Sequence, residues 1–104
     1  LGNRLSVFKE KMKTIKIFAG TSNLPLAQRI SQNLNEPLGK IYHHKFPSGE
    51  TYCQFKENIR GNDVFLIQGF TIPANENLME LLVMADAARR ASAERITAVI
   101  PYSV

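Results

Sequence analysis

Residues 75–102 constrain the fold more than any other segment, because NENLMELLVMADAARRASAERITAVIPY reads as an apolar helix running straight into an apolar strand. Asn77 and Glu80 have the spacing of a capping box, in which each side chain satisfies a backbone N–H that the first helical turn leaves orphaned. Leu78, Leu81, Leu82 and Ala85 then recur at i, i+3, i+4 and i+7. Met79, Val83, Met84 and Ala87 make the opposite side apolar too, so this helix needs a second partner surface, a domain or another subunit. Arg89, Arg90 and Arg95 suit the negative end of the helix dipole. The buried strand over 96–100 ends in Pro101-Tyr102, at the edge where open α/β sheets bind ligands, and what it supports is expected beyond Val104.

The preceding sequence has matching punctuation. Residues 14–18 read as a short buried strand, with Ile15 and Ile17 on one face and Phe18 entering a turn at Gly20. Ser22 or Asn23 can cap the next helix, Pro25 sits where a missing N–H costs nothing, and Leu26, Ala27, Ile30 and Leu34 form its inward face. A turn at 36–39 ends it. Residues 41–46 are strand-like, and Pro47-Ser48-Gly49 breaks the run before Thr51, Cys53 and Phe55 alternate with Tyr52, Gln54 and Lys56. That period of two makes a hairpin or ribbon around a tight loop. After a turn at 59–63 come a buried strand over 64–68 and a loop through Pro73. Strand, helix, ribbon, strand, helix, strand is the order of an α/β fold with a parallel sheet and an antiparallel excursion.

Composition excludes several functions. A net charge of +4 and a pI near 9.5 would invite a nucleic-acid partner, but the excess lies in residues 1–16, where five basic residues face one acidic. From Ile17 onward eight basic residues balance eight acidic ones, so no nucleic-acid partner is expected. No apolar run has the length of a membrane span, and no membrane partner is expected. Cys53 is the only cysteine, which favours a reducing compartment and a cytoplasmic location, while the basic, acid-poor start leaves organelle targeting open. The composition breaks near residue 12, so 1–12 reads as a basic N-terminal extension, with Met12 a candidate start, and 13–104 as an incomplete α/β domain.

Few residues carry chemistry. The turn Gly20-Thr21-Ser22-Asn23 could hold a phosphate on its N–H groups but lacks the glycine and lysine pattern of a nucleotide cradle, so a capping turn is the plainer reading. His43 and His44 are adjacent on a strand, point to opposite faces and cannot chelate one ion. Cys53 falls at an inward strand position, as core rather than nucleophile. The loop Phe46-Pro47-Ser48-Gly49-Glu50 differs, placing a ring, a hydroxyl and a carboxylate around a glycine turn. That combination can stack on a base and accept hydrogen bonds from its exocyclic amine, although a plain turn would use the same residues.

Four segments in order, 46–50, 57–65, 77–82 and 95–102, resemble ribose-phosphate pyrophosphokinase, over only the first part of such an enzyme. The resemblance implies a phosphoribosyltransferase-like parallel sheet flanked by helices, with an antiparallel β-ribbon excursion. It implies a parent that moves the β,γ-diphosphoryl group of ATP, with Mg²⁺, onto the anomeric hydroxyl of ribose 5-phosphate, and that works as a homo-oligomer. In that family the loop matching 46–50 reaches a neighbouring subunit's site, so Phe46 would stack on adenine while Ser48 and Glu50 face its polar edge. The family usually has Asp or Asn where Ser48 stands, which would weaken one contact, and Pro47 replaces the usual Ser and should stiffen the loop. Arg60, with Asn58 and Ser92, would correspond to an allosteric site for ADP or phosphate between subunits; ordinary caps and turn residues are the alternative. The family's catalytic and metal-binding segments fall outside residues 1–104, so the chain alone is expected to be inactive. A non-catalytic module that joins full-length subunits is the competing function, and an unrelated nucleotide-binding α/β domain the third.

Overall fold

The computed structural model describes residues 15–101, so the 1–12 extension, the expected strand start at Thr14 and the Tyr102 end lie outside the described residues. The elements run β1 (Ile15–Ala19), α1 (Leu24–Leu34), β2 (Ile41–Lys45), β3 (Thr51–Phe55), β4 (Asp63–Ile67), α2 (Ala74–Arg90) and β5 (Arg95–Val99). β1, β4 and β5 form a parallel sheet in the order β1-β4-β5, with Ile17 opposite Phe65 and Val64 opposite Ile96. β2 and β3 form a separate antiparallel ribbon. This is the expected α/β architecture with its antiparallel excursion.

Consecutive β1 residues are buried on opposite faces, as in a strand covered on both sides. Ile17 and Ala19 meet Ala27 of α1 and Ile67, with Ile30 and Leu38 packed alongside. Phe18 meets Val64, Leu66, Cys53 of the ribbon, and Leu81, Met84 and Ala88 of α2. An isolated parallel bridge from Ile17 to Leu38 lies beside β1, while β4 lies next to it within the sheet. The chain thus leaves β1 with α1 on one face and returns with α2 on the other, and the crevice between β1 and β4 is a topological switch point.

Local sequence explains the helix limits. Asn23 caps α1 by accepting the Leu26 N–H at 3.2 Å, Pro25 fills the first turn, and Asn35 ends the helix in the left-handed region at φ 52°. Gly39 has no alternative, because a Cβ there would meet the Phe18 ring at 2.3 Å. Cys53 is buried, and burial, with the Glu80 charge adding to it, pushes its thiol up to about 11, as a core thiol rather than a nucleophile.

Four expectations need correction. Asn77 and Glu80 form no capping box, because α2 starts one turn earlier at Ala74 after Pro73, and the Asn77 amide donates to the Thr71 carbonyl at 2.8 Å. The buried stripe of α2 is Asn77, Leu81, Met84 and Ala88, whereas Leu78 and Leu82 are exposed, so the inward face is rotated from the one read in the sequence. Leu34, at the last turn of α1, shares an apolar cleft with Ile15, Ile30 and Val99 but stays 63% exposed. β5 is also only partly covered, not fully buried.

Glu80 instead joins three elements at the switch point. Its carboxylate accepts from the Thr21 N–H, from the Thr21 hydroxyl at 2.9 Å, and from the Gln68 amide at 2.9 Å. Gln68, itself buried, accepts from the Ser22 hydroxyl at 2.7 Å and donates to the Asn77 carbonyl at 3.1 Å. The fit is tight, since a Cβ on Gly20 would meet Gln68 Oε1 at 2.2 Å and Glu80 Oε1 at 2.7 Å. Glu57 makes a second joint, pairing with Lys16 at 2.7 Å and accepting the Lys40 N–H at 2.8 Å.

Removing the Glu80 carboxylate orphans donors, one of them on buried Gln68, which costs about 1–3 kcal/mol. Glu80→Ala should therefore lower stability by roughly 2 kcal/mol in urea denaturation, and Glu80→Gln, which keeps an acceptor oxygen, by less than half as much. The Lys16 hydrogen bond, and then the Lys40 N–H, hold the Glu57 carboxyl below its ordinary 4.5. A depressed folded value contributes stability that is present above the unfolded value and lost as pH falls through the folded one. Glu57→Gln should thus be less stable than the parent at pH 7, and that gap should close as unfolding is repeated below pH 4.5.

Candidate functional site

The loop over 46–50 is built by the ribbon that carries it. β2 and β3 pair from Ile41–Phe55 to Lys45–Thr51, and the Phe46 N–H donates to the Glu50 carbonyl at 2.8 Å just past the last pair. Gly49 N–H closes the turn on the Phe46 carbonyl at 2.9 Å, and Gly49 itself stands at φ 95°, which favours glycine. Pro47 occupies the second position of this turn, where its fixed φ is already suitable. The backbone of the loop is therefore rigid without help from its side chains.

Those side chains face outward. Phe46 is 43% exposed, and Ser48 and Glu50 are exposed with it. A cleft between the loop and the first turns of α2 is lined by Phe46, Ser48, Glu50, Tyr52, Met79 and Val83. The three residues expected to meet a base therefore share one open cleft with a ring at its wall. Beside it, Lys45 pairs with Glu76 at 3.0 Å and ties the ribbon end to the start of α2.

His43 and His44 do point apart. His43 turns inward, where its Nε2–H donates to the Ala19 carbonyl at 2.9 Å. His44 lies on the outward face, parallel to Tyr42 and edge-on to Phe46. Among the described residues no group of three or more His, Cys, Asp or Glu side chains is placed to hold a metal ion. The turn over 20–23 likewise spends its Thr21 and Ser22 donors on Glu80 and Gln68, as a structural turn.

Asn58, Arg60 and Ser92 meet at the other end of α2. Asn58 Oδ1 accepts the Arg60 N–H at 3.0 Å, and the Gly61 N–H donates to the Ser92 carbonyl at 2.9 Å. Ser92 sits in the left-handed region at φ 65°, and the Glu94 N–H reaches the Asn62 carbonyl at 2.8 Å. Two turns distant in sequence are so stitched together at the amino ends of β4 and β5. α2, 17 residues and about 25 Å long at 1.5 Å per residue, lines the cleft under the loop over 46–50 with Met79 and Val83 and has this cluster past its C-terminal end. What sequence reading missed is Glu80; the signal for it was Pro73, which starts the helix early and frees Glu80 from any capping duty.

Known proteins resemble this chain in sequence and fold. Residues 15–104 match the family model described as the N-terminal domain of ribose phosphate pyrophosphokinase. Ribose-phosphate pyrophosphokinase 2, chloroplastic, of Oryza sativa subsp. japonica is 58% identical over 88 residues, which are 85% of this chain and 22% of the relative. Ribose-phosphate pyrophosphokinase of Brucella melitensis biotype 1 is 53% identical over 85% of this chain and 28% of its own length. The crystal structure of phosphoribosylpyrophosphate synthetase from Mycobacterium smegmatis superposes with a TM-score of 0.82 at 38% identity, over 85% of this chain and 30% of that one. The chain thus spans between a fifth and a third of the length of these relatives. Sequence match and fold similarity agree that the chain belongs to the ribose-phosphate pyrophosphokinase family, of which it carries the N-terminal domain.

Proposed function

We propose that this domain supplies the adenine-side contacts of an enzyme that transfers the diphosphoryl group of ATP to ribose 5-phosphate, forming phosphoribosyl pyrophosphate. The observation that carries this reading is the half-exposed Phe46 ring on a rigid turn, with Ser48 and Glu50 exposed in the same cleft. Phe46 stacks on the base, and the Ser48 hydroxyl and Glu50 carboxylate accept hydrogen bonds from its exocyclic amine. Stacking of this kind is worth about 1–3 kcal/mol per base. Any Mg²⁺ arrives with the ATP phosphates and is held by groups other than the described residues.

Two further roles go with this reading. Arg60, with Asn58 and Ser92, receives the phosphate of a regulatory ADP or phosphate between subunits, a role supported by the backbone stitching of their two turns. The enzyme works as a homo-oligomer, because the loop over 46–50 completes a neighbouring subunit's site. We assign the chain to the cytoplasm on its single cysteine; relatives with chloroplastic names carry the same domain.

A second reading is favoured by the exposed Leu78, Met79 and Leu82, at 43%, 52% and 53%, on the side of α2 away from the sheet. Such a face suits a non-catalytic module that associates with full-length subunits. No helix among the described residues is long and apolar enough to cross a membrane.

In the full-length enzyme Phe46→Ala should raise the KM for ATP about tenfold, from the stacking energy lost. An unchanged KM and turnover would show that Phe46 does not touch adenine. The purified 104-residue chain should form no phosphoribosyl pyrophosphate from ATP and ribose 5-phosphate, since diphosphoryl transfer needs cationic groups placed around the phosphates. Co-expression with full-length subunits decides the second reading, which requires the two to co-purify.

A further inference from the structure

We propose that His44 is the positioning residue that holds the Phe46 ring ready for a purine base, an inference that rests on the adenine reading of the loop over 46–50. The hydrogen bonds of that loop fix the backbone of Phe46 but leave its ring free to turn. Only neighbouring side chains can fix the ring. His44 meets it at 4.7 Å between centroids and 85° between planes, the edge-to-face geometry that aromatic pairs prefer. Tyr52, the cross-strand partner of His44, stands farther off at 6.3 Å and is only tilted, at 59°.

His44 is itself braced from behind. Its ring lies parallel to Tyr42, at 6.1 Å and 9°. The Lys56 ammonium stands 5.7 Å from the centre of the Tyr42 ring and donates to Gln54 Oε1 at 3.0 Å. The supports therefore run in one line along the outward face of the ribbon, from Lys56 through Tyr42 and His44 to Phe46. His44 is the member of that line in direct contact with the ring. A phenyl group already held in its binding orientation loses less freedom when a base stacks on it, which is how preorganisation raises affinity.

The geometry also separates the two adjacent histidines. His43 is committed to the Ala19 carbonyl and to the inner face, whereas His44 makes its ring contacts on the outer face, with Tyr42 and Phe46. His44 touches no proposed substrate group directly. It acts through Phe46.

Adenosine monophosphate titrated into the full-length enzyme tests this, with the ring signals of selectively labelled Phe46 and the Gly49 amide followed by NMR. His44→Ala should raise the dissociation constant about threefold to tenfold and erase the fixed pattern of nuclear Overhauser contacts from the Phe46 ring, as expected for loss of one aromatic pair. His44→Phe, which restores a ring but not the imidazole, should recover both, and failure to recover them would overturn the assignment to ring bracing. Phe46→Ala is the control for the reading underneath. If it leaves the affinity unchanged, the adenine reading falls and takes this inference with it. If it weakens binding while His44→Ala changes neither affinity nor ring contacts, the His44 assignment alone is wrong.

Discussion

The hydrogen-bonded joint centred on Glu80 and Gln68 is the constraint on which the rest of the domain depends. A parallel sheet opens a crevice where its strand order reverses, and that crevice would leave the turn after β1 and the end of β4 without partners. Here one carboxylate and one amide fill it, and both come from elements on the far side of the turn. The consequence reaches beyond the joint. With Glu80 fixed at Thr21, the phase of α2 is fixed too, so Leu81, Met84 and Ala88 face Phe18 while Leu78 and Leu82 face away.

That rotation connects the core to the functional surfaces. Met79 and Val83 of α2 line the cleft under Phe46, Val83 packing against the core as well, while Asn58, Arg60 and Ser92 cluster past the C-terminal end of the helix. The ribbon depends on the same core, since Phe55 stacks edge-on to Phe18 at 4.6 Å and Cys53 is buried beside it. An isolated two-stranded hairpin has little stability of its own. The loop at its tip therefore stands where it does because the inner face of the ribbon is anchored in the sheet.

Periodicity was enough to order the elements, since strand and helix repeats differ and the breaks at Gly, Pro and Asn are local. The sequence also offered Ser22 or Asn23 as the cap, of which Asn23 serves, and placed Cys53 as core and the two histidines on opposite faces. It failed where a distant partner outbids a local one. Asn77 and Glu80 have ideal spacing for a cap, but Glu80 finds better-placed donors on Thr21 and Gln68, 59 and 12 residues away in the chain. A helix apolar on two sides could not reveal its inward stripe for the same reason. The ring ladder on the ribbon was legible only as alternation, because Tyr42, His44 and Phe46 show their mutual angles in space and nowhere in the letters.

The edge of β5 has a consequence for how such a domain survives. Among the described residues β5 pairs only with β4, so its other side offers unpaired backbone groups beside the half-open Ile100. An unpaired edge is a template for another strand. A domain of this shape is safest when that edge is covered, so whatever covers it protects the domain from pairing with other chains, quite apart from anything its binding surfaces do.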